Sequence, residues 1–302
     1  MRPGHTLSTS TLVMCAGLII ASIVCVGTVL AFSLTQRPPA VDKDTLCRTD
    51  APLEHHTVIL VDATDGLSRE QATTVRASIA EERSTLPTFA KFTVLLINPS
   101  TPFEPREVAS FCNPGAAKSA NPLFSNPDQI ARVWERQFAA PIDSAVAGVL
   151  NTASASRSPI LQSIAAVSWR IDFDGRILHR RLRLVSDLLQ HEPGRGGFTH
   201  YQNQSGDLWA QFSRNSLAKH ASADLTKAAI KIDLLRGPKT IAYQSADHRR
   251  FWERWFQEHG ASSIDFSGAP SAETPVPLPV AKPNISSVRS TSPQRARLGQ
   301  TR

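Results

Sequence analysis

Two aspartates stand where an open-sheet protein keeps its reactive groups. Residues 57–62, Thr-Val-Ile-Leu-Val-Asp, and 181–187, Arg-Leu-Arg-Leu-Val-Ser-Asp, are both strand-like runs that end in an acid. Ligands of open α/β sheets bind beyond the carboxyl ends of the strands, so Asp62 and Asp187 are the first candidates for chemistry. Carboxylates there can hold a cation, or one of them can serve a hydrolase or phosphatase as nucleophile or metal ligand. Other chemistries lack their signatures. The chain has no Gly-x-Gly-x-x-Gly after its first strand, no phosphate-cradling Gly-x-x-x-x-Gly-Lys and no Gly-x-Ser-x-Gly elbow. The glycines of 194–197, Gly-Arg-Gly-Gly, are misplaced for nucleotide binding, and the nine histidines show no metalloprotease spacing. His55, His56 and His191 read as surface or strand-edge residues.

The elements that must position the two acids follow an alternating order. After the strand at 57–62, Ser68-Arg-Glu-Gln71 forms a capping box, and Ala72, Val75 and Ile79 share one helical face. A second strand spans 92–97, and the Pro-, Asn- and Ser-rich stretch 98–125 reads as a single long loop. Asn126-Pro127 opens a helix with Ile130, Val133, Trp134 and Phe138 inward, kinked or divided at Pro141, and Ser158-Pro159 opens another. Around Asp174-Gly175 a turn separates strand-like runs at 169–173 and 181–187. A helix over 208–219, a strand over 228–235, a helix over 248–259 and an edge strand over 263–266 complete the series. The aromatic stripe Phe251, Trp252, Trp255 and Phe256 suits core packing. Strands alternating with helices predict an α/β fold with a doubly wound, mostly parallel sheet.

Around the first acid the sequence reads Val61-Asp-Ala-Thr-Asp-Gly-Leu-Ser68, which resembles the metal-ion-dependent adhesion site of von Willebrand factor type A domains, whose first loop is Asp-x-Ser-x-Ser. Asp62 and Thr64 match its first two positions; Gly66 replaces the third, with Asp65 and Ser68 close by. The resemblance implies a second-loop hydroxyl before a later helix, for which Ser158 is the candidate, and a third-loop acid, which Asp187 matches although Leu188 stands where a glycine often follows. It covers about residues 57–267 by order of elements. Two carboxylates and two hydroxyls suit a hard cation such as Mg²⁺ or Mn²⁺, whose open position would accept an acidic group from a partner. Helix capping offers Ser68 and Ser158 an alternative role. A haloacid-dehalogenase-like phosphatase would need a second Asp at position 64, which is Thr64.

The run 12–32 carries no charge and exceeds the roughly 20 residues that cross a hydrocarbon core. The expected organisation is a short segment 1–10, a transmembrane helix 11–34, a linker 35–50, the α/β domain 51–267 and a disordered Pro/Ser/Arg-rich tail 268–302. With the N-terminus inside, the domain is extracytoplasmic, periplasmic in a bacterium. Cys47 and Cys112 then either pair or remain two free thiols; the oxidising placement favours the bridge. The net charge of +7 collects in the tail, where Lys282, Arg289, Arg295, Arg297 and Arg302 follow the last acid, Glu273. The domain is nearly balanced, so no specific nucleic-acid binding is expected. The expected function is a membrane-anchored protein-interaction or assembly module without turnover; the alternative is a hydrolase or phosphatase using Asp62.

Overall fold

The structure is a computed structural model that describes residues 8–35, 39–116, 126–150, 154–194, 196–201 and 207–267. The expected tail, 268–302, lies outside the described residues.

Helix α1 (Thr9–Thr35) is apolar all round, and its 23-residue core Thr9–Ala31, with mean hydropathy 2.6, is long enough to cross a membrane. Two of its hydroxyls are satisfied within the helix. Ser22 Oγ donates to the Leu18 carbonyl and Thr28 Oγ1 to the Val24 carbonyl, both at 2.9 Å, as hydrocarbon surroundings require.

The rest is a six-stranded sheet in the order β3-β2-β1-β4-β5-β6. Its strands are β1 (His55–Val61), β2 (Lys91–Leu96), β3 (Arg106–Cys112), β4 (His179–Ser186), β5 (Ala229–Leu234) and β6 (Ser263–Ser267). Only the β2–β3 pairing is antiparallel. Both sheet faces are covered, which is why β1 is a continuous apolar run. Val58 and Leu60 face α5 (Ile160–Ser168) and α8 (Ala246–Glu258); Ile59 and Val61 face α2 (Arg69–Thr85). The aromatic stripe of α8 is buried as expected. With α2 on one face and α5 on the other, β1 and β4 border the point where the winding reverses, and a crevice opens beyond their carboxyl ends.

Four local expectations need correction. The stretch 98–125 is not one loop, because β3 lies within it as an antiparallel edge strand; residues 117–125 lie outside the described residues. Residues 169–173 form turns rather than a strand: Phe173 N donates to the Arg170 carbonyl, and the Asp172 carboxylate takes Lys91 and Arg170. The helix over 208–219 breaks into α6 (Leu208–Ser213) and α7 (Leu217–His220), since Asn215 turns away to donate to the Gly197 carbonyl. His56 is a core residue, fully buried, donating from Nδ1 to the Asp172 carbonyl (2.6 Å) and accepting from Thr93 Oγ1 at Nε2. At Pro141, which lacks an N–H, the chain is divided as expected: a π-helical turn Glu135–Ala139 separates α3 (Pro127–Trp134) from α4 (Ala140–Ala147).

Part of the segment expected as linker is fastened to the domain. Leu46 is buried, and Cys47 is disulfide-bonded to Cys112 with Cα atoms 4.8 Å apart. Cys112 closes β3, so the bridge joins this segment to an edge strand rather than to a loop.

Candidate functional site

Each residue of the predicted cluster except Ser68 reaches the crevice beyond β1 and β4. Asp62 follows β1 directly, and its N–H continues the sheet by donating to the Val185 carbonyl (2.9 Å). Its carboxylate is buried and fully used. Oδ1 accepts from Thr64 N (3.0 Å) and Thr64 Oγ1 (2.6 Å); Oδ2 accepts from Ser158 Oγ (3.0 Å) and Ser186 Oγ (2.9 Å). Three segments distant in sequence are thereby drawn to one carboxylate.

Ser158 is held by reciprocal backbone bonds with His191, and its hydroxyl does not cap the following helix. Pro159 is the N-cap of α5, without a side-chain cap bond, which leaves Ser158 Oγ for Asp62. Ser68 behaves oppositely. It caps α2 in a full capping box with Gln71 and donates its hydroxyl to Glu70, so it stands outside the cluster.

Gly66, the departure in the first loop, has φ of 73°, in the left-handed region that favours glycine, and its N–H closes a turn on the Ala63 carbonyl. A residue bearing a hydroxyl there would strain the loop. The additional hydroxyl comes from Ser186, the last residue of β4, which the sequence reading passed over. Ser186 Oγ also accepts from Leu188 N (2.8 Å). Leu188 itself has φ of 57°, against its intrinsic preference, and its wholly buried side chain holds it there.

Asp187 is nearly buried, with Oδ1 accepting from Leu189 N (2.9 Å). Burial, and then the negative charge of Asp62, pushes its carboxyl well above the usual carboxylate range. Asp65, on the exposed rim, is raised by the same two causes, while Tyr201 donates to its Oδ2 at 3.4 Å. Tyr201, which the sequence did not single out, is itself raised, first by burial and then by Asp187.

A cluster of this kind gains from a proton or a cation. Its donors are all oxygens, the preference of hard cations. Thr64 and Ser158 give their single hydroxyl hydrogens to Asp62, which leaves oxygen lone pairs available as ligands. Among the described residues no group of three His, Cys, Asp or Glu is placed to hold a metal unaided, so a cation here relies on hydroxyls and water as well.

The space is small. Asp62, Asp65, Gln71 and Asp187 line a cavity of about 20 Å³, room for one water-sized particle. Beside it a hollow of about 280 Å³, lined by Asp65, Arg157, Ser158, His191 and Tyr201, opens on the surface. A larger groove, between α6 and α8, includes none of these acids. In sequence comparison the chain matches no protein-family model and no curated protein.

Proposed function

We propose that the protein is a membrane-anchored interaction module that binds a protein partner through the loops bearing Asp62, Thr64, Asp65, Ser158 and Asp187. The observation that carries this reading is the joining of three loops at one buried carboxylate, under a shallow surface rather than a deep cleft. Small-substrate sites are concave pockets of about 300–1,000 Å³ that engulf their ligand. A shallow acidic rim suits a group presented by another macromolecule. The sheet order and the hydroxyls turned to Asp62 support a von Willebrand factor A-like site, in which Asp62, Thr64, Ser158 and Asp187 would hold Mg²⁺ or Mn²⁺. The cation would supply positive charge for an acidic side chain of the partner.

In this reading α1 is the anchor and the domain is extracytoplasmic, a placement that the Cys47–Cys112 bridge supports, since disulfides persist in oxidising compartments. The rival hydrolase draws less support. A hydrolase acting on a small substrate would need room for it at Asp62, whereas the cavity there is about 20 Å³.

The test uses the detergent-solubilised full chain as bait for proteins of its own compartment, with Mg²⁺ or with a chelator. A partner retained with Mg²⁺ and lost on chelation and in Asp187→Ala is expected. Turnover of phosphate or carboxylate esters that disappears in Asp62→Asn would instead establish the hydrolase.

A further inference from the structure

At the opposite edge of the sheet, where the parallel strands begin, the surface is apolar in a way that the acidic site does not explain. Among the described residues outside α1, the exposed large apolar side chains are Val41, Phe103, Trp169, Ile171, Leu178 and Ile241. Phe103 follows β2 and Ile241 follows β5, at the carboxyl edge. The other four gather at the amino edge. Trp169 is 64%, Ile171 79% and Leu178 65% exposed, in the connection that leads into β4.

This rim is fixed in place. The carbonyl of Asp172 accepts from His56 and its carboxylate takes Lys91 and Arg170, which pins the turn to the first residues of β1 and β2. Trp169 Nε1 donates to the Ser222 carbonyl (3.0 Å), so the indole is oriented while its face stays open.

Scattered surface apolar residues are ordinary; these are set apart by the chain that reaches them. From Thr35, where α1 ends, to Ala40, whose carbonyl accepts from Thr49, is five peptide steps, at most about 18 Å. Cys47 then ties this segment to Cys112, which pairs with Lys91 of β2, which pairs with His56 of β1, which pairs with Arg180 of β4. Three strand spacings, about 14 Å, thus separate the bridge from the start of β4. A membrane that holds α1 therefore has its headgroups within reach of Trp169, Ile171 and Leu178.

We infer that the amino edge of the sheet rests on the bilayer that α1 crosses, with Trp169, Ile171 and Leu178 seated at headgroup level and the acidic loops turned away from it. The inference rests on α1 being a retained anchor. Tryptophan is the residue that favours this depth, with an apolar ring and a polar N–H. Val41, also exposed, lies in the tethering segment.

The test reconstitutes the full chain in vesicles of phosphatidylcholine with brominated acyl chains, which quench only tryptophans at the bilayer. Of the other four tryptophans, Trp252 and Trp255 are wholly buried, whereas Trp134 and Trp209 are half-buried; the chain used as wild type in this test therefore carries Trp134→Phe and Trp209→Phe, so that Trp169 alone reports contact. Quenching of the wild type is expected to vanish in Trp169→Phe. In Ile171→Glu, which keeps the indole, the docked-to-free ratio should fall about tenfold. Flotation separates the two readings: a chain that does not float with the vesicles defeats the anchor and the docking together. A chain that floats with equal quenching in wild type and Trp169→Phe defeats the docking alone. Trp169 shielded from an aqueous quencher but untouched by brominated lipid would mean that a protein covers the rim, and would also overturn the inference.

Discussion

Replacing Asp187 separates the electrostatic cost of the acid cluster from its hydrogen bonding. Its carboxyl is raised by burial and by Asp62, so between the ordinary aspartate value and its own folded value the native state binds more protons than the unfolded chain. Stability therefore falls as pH rises through that window. Asp187→Asn removes the charge and keeps an oxygen to accept from Leu189 N. The metal-free variant should be at least as stable as the wild type at pH 7, with a flatter dependence on pH below that. Asp187→Ala also loses the hydrogen bond, about 1 kcal/mol, which places it about 2–4 °C below the asparagine variant for a domain of this size. Magnesium acts in the opposite sense. A cation at a hundredfold excess over its dissociation constant adds about 2.7 kcal/mol to the wild type, some 5–10 °C, and nothing to either variant. The assay is thermal unfolding by near-ultraviolet circular dichroism, with and without Mg²⁺, from pH 5 to 8. A wild type indifferent to Mg²⁺, Mn²⁺ and Ca²⁺ ends the cation reading. An asparagine variant less stable than the metal-free wild type refutes the electrostatic argument.

Two further outcomes follow from the same structure. The Cys47–Cys112 bridge closes a sequence separation of 65, for which the chain-entropy relation gives about 4 kcal/mol; a urea midpoint that moves by less than about 1 kcal/mol on reduction would contradict this. His56 and His248 are pushed down to about 4 by burial from an ordinary 6.5, so the native state binds fewer protons than the unfolded chain between those values. Stability is then lost as pH falls from 6.5 towards 4, on the order of 3 kcal/mol per ring, and urea melts of His248→Gln should show a shallower acid loss than wild type.

The central acids were legible because β1 ends in an apolar run and β4 in Leu184-Val185-Ser186, each stopping abruptly at an acid, and the rule of strand ends needs nothing more. The partners of Asp62 were less so. Ser186 sits one residue before Asp187 inside a strand, where a serine ordinarily reads as packing, and only the neighbouring strand shows that its hydroxyl meets Asp62. Ser158 was equally consistent with a helix cap, and the competition was decided by Pro159 taking the cap position. Edge strand β3 escaped because it opens with the exposed pair Arg106 and Glu107 and its alternation is weak. The buried face of β4 hid another feature. Arg183 lies inside, neutralised by Glu82 of α2 and Asp233 of β5, a match between three elements that no local pattern in the sequence announces.

The direction of the strands links the two ends of the domain. In a parallel sheet every strand starts at one edge and finishes at the other, so with α1 as an anchor, a chain that leaves it at Thr35, is pinned at Cys47 and enters β1 at His55 has its strand-end loops on the far side. With seven residues in β1, at about 3.3 Å each, that separation is about 23 Å. The antiparallel β3 turns this polarity to use: its last residue, Cys112, returns to the entry edge, where Cys47 can reach it. The bridge thus shortens the effective tether from the strand start back to Cys47, while Asp62 and Asp187, on the other edge, are left unencumbered. If the amino edge docks as inferred, lengthening the segment between Thr35 and Ala40 would loosen it from the bilayer without touching a residue of the acidic cluster, so the inferred docking and the proposed partner binding can be tested separately.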